Sequence, residues 1–316
     1  MTDDLIRPRS LDRRRLLAGA GSLASCAFLP ASPKTARAAT TAPALRRIPS
    51  SGAQIPAVGM GTWITFNVGD DPVLRDARTE VMQAFFKAGG RMIDSSPMYG
   101  SSQPVIGHGL ESLGRPADFF AADKVWTSSP DEGPEQIERS RKLWGVPQFQ
   151  LLQVHNLVAW EAHLETLEAM KEEGRLRYLG ITTSHGRRHS DFARIMDRKE
   201  LDFVQFTYNP VDREAEQRLL PLAREKGMAV IVNRPFQRGA LTRRLRSEPL
   251  PDWAEAIGAE SWAQIILKFI LSHEAVTLPI PATTKPEHAE ENVRASAGPL
   301  PDGALRRRIA ETIGAL

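Results

Sequence analysis

The chain contains little cysteine and little histidine. Cys26 is the single cysteine among 316 residues, and seven residues are histidine. One thiol can form neither an intramolecular disulfide nor a zinc site built on several thiolates. The histidines lack partners at metal-ligand spacing, and no H-E-x-x-H motif is present. The sequence therefore predicts no metal site, while 41% apolar residues suffice for a substantial core.

An excess of charge of one sign is absent beyond the first segment. Residues 1–38 hold seven of the 41 Lys and Arg and three of the 38 Asp and Glu, so the rest of the chain carries 34 basic and 35 acidic residues. A nearly neutral body has no electrostatic surface suited to nucleic acid. We therefore expect no nucleic-acid partner.

The basic excess belongs to a leader-like segment. Three arginines at 13–15 precede a mildly apolar, Gly/Ala-rich stretch at 18–29, and Ala36–Ala38 offers an A-x-A cleavage site. The pattern resembles a bacterial twin-arginine signal peptide, and its apolar stretch is shorter than the ~20 residues of a membrane span. The prediction is a signal peptide at 1–38, a spacer at 39–45 and one domain at 46–316, with delivery by the twin-arginine (Tat) export machinery to the periplasm or the medium.

Two alternatives for this segment stay open. Residues 23–26, with the letters LASC, resemble a lipoprotein signal, so the protein would be lipid-anchored through Cys26. The segment would otherwise be an amphipathic first helix or a membrane anchor.

Short apolar runs alternate with amphipathic helical patterns over the rest of the chain. Strands are predicted at 57–59, 91–94, 119–124, 150–155, 179–182, 203–206, 229–232 and 276–280. Helices are predicted at 73–88, 103–113, 134–144, 160–173, 187–198, 213–226 and 260–272. Eight strands alternating with helices indicate a single-domain α/β fold, the (β/α)8 TIM barrel, with a hairpin at 46–55 plugging its amino-terminal end.

Four ionisable residues lie where predicted strands meet loops: Asp94, Tyr99, Lys124 and His155. Carboxyl ends of parallel strands converge on one rim, so these side chains can share a site. A lysine beside a tyrosine favours the phenolate, an aspartate keeps that lysine charged, and a histidine can orient a carbonyl by a hydrogen bond. The set predicts protonation of a carbonyl oxygen.

The segments that carry these residues resemble the aldo/keto reductase family. The matching segments are Gly59–Trp63, Ile93–Gly100, Asp123–Val125, Val154–Asn156 and 280–292. The resemblance implies a barrel that transfers hydride between NADPH and an aldehyde or ketone. It gives Tyr99 the role of general acid, Lys124 and Asp94 the role of tuning it, and His155 the role of orienting the substrate.

The same resemblance implies a nucleotide site. The family's cofactor positions match Gly61, Thr62, Thr182, Thr183, Gln205, Asn233, Pro235, Arg238, Thr283, Lys285, His288, Glu291 and Asn292. Asn233 stands where the family often has a tyrosine stacked on nicotinamide, and Ala282 and His288 replace a common lysine and arginine. NADP(H) is the expected cofactor, with NAD(H) as the alternative.

The expected substrate is a small carbonyl compound or alcohol, bound by a monomer in a pocket lined by Trp63, Phe66, Trp126 and Asn156. Substrate identity has no readable code in the loops, where barrel specificity resides. Two rival functions remain: a nucleotide-binding redox sensor or scaffold with little turnover, and a barrel isomerase or lyase that needs no nicotinamide.

The leader is tested by fusing residues 1–40 to a reporter protein. We expect export in a Tat-competent bacterium, and loss of export in a Tat-deficient host or after Arg13→Lys with Arg14→Lys, because the twin arginines are the recognised signal. Fractionation of cells measures the reporter. Export that survives both changes would contradict the assignment.

Overall fold

The computed structural model describes residues 42–316, so the predicted signal peptide, Cys26 and the start of the spacer lie outside the described residues. The described chain opens with an antiparallel hairpin of β1 (Leu45–Arg47) and β2 (Gln54–Pro56). Within residues 42–316, no helix is long and apolar enough to cross a membrane.

Eight parallel strands follow in chain order, each paired with the next. They are β3 (Met60–Gly61), β4 (Met92–Asp94), β5 (Phe120–Val125), β6 (Leu151–Val154), β7 (Tyr178–Thr182), β8 (Phe203–Thr207), β9 (Ala229–Asn233) and β10 (Leu278–Pro279). The sheet closes because the Gly59 and Gly61 amides donate to the Pro279 and Pro281 carbonyls at 3.0 and 3.1 Å. The predicted (β/α)8 barrel is confirmed.

Ten helices occur among the described residues. They are α1 (Pro72–Lys87), α2 (Ser102–Leu113), α3 (Gly133–Trp144), α4 (Trp160–Glu172), α5 (His189–Arg198), α6 (Leu219–Glu225), α7 (Ala240–Arg244), α8 (Trp262–Leu271), α9 (Pro286–Arg294) and α10 (Gly303–Ala315). Short 3₁₀ turns lie at Pro97–Tyr99, Pro130–Glu132, His155–Leu157, Glu214–Glu216 and Asp252–Ile257. The first and third of these turns carry predicted catalytic residues at strand ends.

The hairpin closes one end of the barrel. Ile48 and Ile55 are buried in a cluster formed largely by the first residues of the strands, namely Met92, Phe120, Leu151, Tyr178, Phe203, Ala229 and Leu278. The Ser51 hydroxyl also pairs with the Tyr178 hydroxyl at 2.7 Å. This end is therefore filled by side chains, as the sequence predicted, and open space is left to the carboxyl ends of the strands.

Barrel closure requires glycine at one position of this seam. A Cβ at Gly61 would lie 2.7 Å from the Ile280 carbonyl oxygen, which is too close for any other residue without a backbone shift. The first barrel strand also differs from prediction. The sequence placed it at 57–59, but the ladder to β4 begins at Met60, because Met60 is the residue that pairs with Ile93.

Other boundaries moved as well. The helix predicted at 213–226 is a 3₁₀ turn followed by α6, since Arg218 between them has a non-helical backbone. Helices α7, α9 and α10 were not predicted. They follow the last two strands, where no further strand period marks the change from loop to helix.

Candidate active site

A cavity of about 730 Å³ opens at the carboxyl ends of the strands. Its lining includes predicted residues from most of the barrel circumference: Gly61, Thr62, Trp63, Asp94, Tyr99, His155, Asn156, Thr182, Gln205, Asn233, Pro235, Arg238, Thr283, His288, Glu291 and Asn292. A volume of this size holds a ligand of several rings.

Lys124 and Asp94 form a buried ion pair beneath one end of the cavity. The Lys124 ammonium donates to Asp94 Oδ2 at 2.6 Å and to the Ser95 carbonyl at 2.7 Å, and both side chains are buried. Gln205 Nε2 donates to the other Asp94 oxygen at 3.0 Å. Burial alone would lower the pKa of Lys124, but attraction to Asp94 and Tyr99 and the Asp94 hydrogen bond outweigh it and raise that pKa. The ammonium therefore stays charged.

Tyr99 ends the 3₁₀ turn that follows β4, and its ring centroid lies 5.2 Å from the Lys124 ammonium. Burial raises the pKa of Tyr99 to about 12, and Lys124 offsets only part of that rise. The sequence-based expectation that lysine favours the phenolate thus describes the direction of one contribution, not the net shift. The phenol is protonated at neutral pH and holds a proton that it can donate.

His155 packs against Tyr99, with the two rings edge to face and their centroids 5.6 Å apart. Its Nδ1 pairs with the Ser96 hydroxyl at 2.7 Å. Burial, followed by repulsion from Lys124, holds the pKa of His155 well below its usual value. The imidazole is therefore neutral at physiological pH.

Asn233 is fixed by amides and hydroxyls at the middle of the cavity. Its Nδ2 donates to the Thr183 carbonyl at 2.9 Å, and its Oδ1 accepts from the Thr207 hydroxyl at 2.7 Å. Gln205 Oε1 is 3.5 Å from the same Nδ2. Asn233 therefore presents a planar amide to the cavity at the position where the family often has a stacking tyrosine.

Cations gather at the loop after β9. Arg234 and Arg238 both contact His185, the second at 3.2 Å, and the Arg238 guanidinium lies 4.2 Å from the Trp63 ring centroid. Burial and then Arg238 lower the pKa of Arg234. Arg234 Nε is buried and has no hydrogen-bond partner among residues 42–316. A cluster with an unpaired guanidinium nitrogen at a cavity fits an anion.

The segment after β10 shapes the far end of the cavity. Glu291 accepts a short hydrogen bond from the Ser261 hydroxyl, and Thr283, His288 and Asn292 line the wall beside it. Lys285 does not line the cavity; its ammonium is 3.8 Å from Glu287, and its side chain is 60% exposed. Lys285, one of the expected cofactor residues, therefore lies outside the cavity lining.

Several predicted residues lie away from the cavity lining. Phe66 is fully buried in the main core, Trp126 is 40% exposed outside the lining, and Thr183 and Lys124 sit behind it. Phe66 and Trp126, both expected to line the substrate pocket, therefore lie outside the cavity lining in this structure. Phe66 follows a tight turn in which Ile64 has a left-handed backbone with φ 64° and the Phe66 amide donates to the Thr62 carbonyl at 3.1 Å.

Sequence reasoning missed four residues around the site. Ser96 contacts His155, Asp123 contacts the Lys124 amide, and Gln103 contacts Asp123, while Arg234 joins the cation cluster. The two arginines in the 234–238 loop were a visible signal, but only Arg238 was selected. Ser96 and Gln103 are brought to the site only by contacts with residues distant in the chain, whereas Asp123 directly precedes Lys124. Among the described residues, no group of three or more metal-ligating side chains was found.

Comparison with known proteins places this geometry in a family. The family model described as "Aldo/keto reductase family" matches residues 57–308. This match spans most of the chain, so the protein belongs to the aldo/keto reductase family.

Individual relatives are distant. The methylglyoxal reductase YeaE of Escherichia coli is 23% identical over 77% of this chain and 86% of its own length. The NADH-specific methylglyoxal reductase of the same organism is also 23% identical, over 85% of this chain and 99% of its own. A Klebsiella pneumoniae aldo/keto reductase, solved with NADP and acetate, has a TM-score of 0.70 at 20% identity, covering 83% of this chain and 93% of its own. At that identity the structural likeness shows the fold.

Asp123 generates a prediction about stability and pH. Its carboxylate accepts from the Lys124 amide at 2.8 Å and from Gln103 Nε2 at 2.7 Å. Burial raises its pKa from 3.8 to about 7, against the opposing effect of Lys124. Between those two pKa values the folded state binds more protons than the unfolded state, so this group makes the free energy of unfolding fall as pH rises.

Asp123→Asn removes that titration. We expect the difference in free energy of unfolding, variant minus unchanged protein, to increase by about 1 kcal/mol or more from pH 4 to pH 8. Urea denaturation of both proteins across this pH range measures the difference. Groups that titrate alike in the two proteins do not contribute to it. Parallel pH curves would show that Asp123 does not titrate as stated.

Proposed function

We propose that the protein is an NAD(P)H-dependent oxidoreductase that reduces an aldehyde or ketone to an alcohol, or catalyses the reverse reaction. The carrying observation is the arrangement of Tyr99 and His155 at one end of the cavity, with the Lys124–Asp94 ion pair directly behind them. A neutral acid and a neutral imidazole beside a buried cation suit proton delivery to an oxygen that gains negative charge.

The residues present fit a nicotinamide dinucleotide. The Arg234 and Arg238 guanidiniums, which line the cavity, would hold the pyrophosphate, and the Gln205 and Asn233 amides would hold the carboxamide. Glu291 and Asn292 would contact the adenosine end. When bound in reduced form, this cofactor supplies the hydride.

Proton transfer falls to the chain's own residues. The Tyr99 phenol donates its proton to the carbonyl oxygen, and the Lys124 ammonium, 5.2 Å from the ring centroid, stabilises the phenolate left behind. Asp94 keeps that ammonium charged and fixed by the 2.6 Å hydrogen bond. His155 contacts the same substrate oxygen and fixes its direction. In alcohol oxidation the proton returns by the same route.

The relatives support a small substrate. Two of them are described as methylglyoxal reductases, so we include small aldehydes and ketones of this kind among the candidates. Trp63, Met98 and Asn156 line the cavity near the catalytic pair and would surround such a substrate. Export by the Tat route is proposed from the leader alone.

A second candidate is supported by Asn233. An amide locked by Thr207 and Thr183 provides no aromatic face for nicotinamide. A protein that binds the nucleotide by charge and hydrogen bonds, and reports its redox state with little turnover, is consistent with that feature. The reductase is the preferred function because the proton-transfer set is assembled.

Tyr99→Phe separates the two candidates. We expect carbonyl reduction to fall about 10²- to 10⁴-fold, because the acid is removed, while the nucleotide dissociation constant changes little. Steady-state assays with a panel of aldehydes and ketones measure the first quantity, and quenching of tryptophan fluorescence by NADPH measures the second.

The outcomes of this comparison are distinct. Unchanged turnover would refute Tyr99 as the acid. Nucleotide binding without turnover in the unchanged protein would favour the sensor, and absence of nucleotide binding would refute both candidates.

Cofactor choice provides another prediction. Ala282 and His288 stand where the family commonly has cations, and Lys285 lies outside the cavity lining, 3.8 Å from Glu287. We expect the dissociation constants for NADPH and NADH to lie within about tenfold of each other. A tenfold preference corresponds to about 1.4 kcal/mol, and without a charge-assisted contact to the 2′-phosphate the preference stays below that value. Parallel fluorescence titrations test this. A preference for NADPH of a hundredfold or more would show a phosphate site elsewhere on the wall.

A further inference from the structure

We propose that Ser96 is a positioning residue that fixes the tautomer of His155, so that Nε2–H points to the substrate. The inference deepens the proposed reductase function and rests on it for its catalytic meaning. The tautomer itself is a property of the folded protein and is measurable without turnover.

The hydrogen bonds of the Ser96 hydroxyl carry the argument. Its oxygen accepts from the Met98 amide at 3.2 Å and lies 2.7 Å from His155 Nδ1. Ser96 is fully buried, so its hydroxyl hydrogen requires an acceptor within the protein. Within residues 42–316, Nδ1 is the acceptor in reach, because the other partner is an N–H donor.

This assignment determines which nitrogen carries the imidazole hydrogen. A neutral imidazole has one N–H and one acceptor nitrogen. If Nδ1 accepts from Ser96, the hydrogen resides on Nε2. The ring lines the cavity, and Nε2 has no hydrogen-bond partner among the described residues. The free N–H is therefore available to a carbonyl oxygen.

The opposite tautomer would leave two groups in conflict. Ser96 Oγ could accept from Nδ1–H as well as from the Met98 amide, but the Ser96 hydroxyl hydrogen would then be buried without an acceptor. Such a group costs about 1–3 kcal/mol. Nε2 would then present a lone pair to the substrate oxygen, which also carries lone pairs, and the contact would be repulsive.

Ser96 also connects the two catalytic groups through the backbone. It is the N-cap of the 3₁₀ turn Pro97–Tyr99, with its side chain bonded to the second residue of that turn. The Ser96 hydroxyl thus helps to set the turn that presents the Tyr99 phenol. The same hydroxyl sets the tautomer of the His155 imidazole. The two donors to a substrate oxygen share a common anchor.

The first test uses the full chain without substitution. Long-range ¹H–¹⁵N correlation spectra of ¹⁵N-histidine-labelled protein near neutral pH report which ring nitrogen is protonated, and His155→Gln assigns the signal. We expect the Nε2–H tautomer for His155. An Nδ1–H tautomer would overturn the inference whether or not the protein proves to be a reductase.

The second test uses variants. Ser96→Ala should give a mixed tautomer and about a tenfold fall in kcat for carbonyl reduction, with little change in nucleotide affinity, and Ser96→Thr should restore the tautomer. Ser296→Ala is the matched control, because it removes another buried hydroxyl that accepts from an amide, Ala44 at 3.1 Å, and donates to a carbonyl, Val293 at 2.8 Å, outside the cavity lining. A His155 spectrum that is unchanged in Ser96→Ala, or altered equally in Ser296→Ala, would refute the role of Ser96.

Discussion

The ion pair of Lys124 and Asp94 is the interaction on which the site depends. Two charges taken from water lose several kcal/mol of hydration each, and a 2.6 Å contact with further hydrogen bonds is needed to offset that loss. The pair also joins adjacent strands of the barrel, because Asp94 ends β4 and Lys124 lies in β5. Its geometry is therefore tied to the register of the sheet.

The charge that this pair maintains sets the state of its neighbours. The same ammonium opposes the rise in the pKa of Tyr99 and contributes to the lowered pKa of His155. Both groups are neutral before reaction, and only the lysine is positive. A cation that is already fixed in place can stabilise a developing negative charge without reorganising solvent, which is the principal advantage of a buried site.

The sequence predicted much of this site for a geometric reason. Carboxyl ends of neighbouring parallel strands meet at one rim, so Asp94 and Lys124 were placed together without knowledge of any contact. Ser96 was not predicted, because its partner His155 is 59 positions away and a serine after a strand has many ordinary roles. The eight-strand pattern was likewise visible, whereas the exact start of β3 depends on which residues pair with β4.

The two halves of the cavity differ in how they hold a ligand. On the proton-transfer side, hydrogen bonds hold the Lys124 ammonium, the Asp94 carboxylate and His155 Nδ1, while His155 Nε2 is left free for a ligand. On the nucleotide side, Asn233 presents an amide rather than an aromatic ring, and Arg238 lies close enough to Arg234 to contribute, after burial, to its lowered pKa. An anion between the two guanidiniums would turn their repulsion into attraction. The proposed nucleotide binding on this side would therefore rest mainly on charge, while the proposed chemistry on the other side would depend on hydrogen-bond direction.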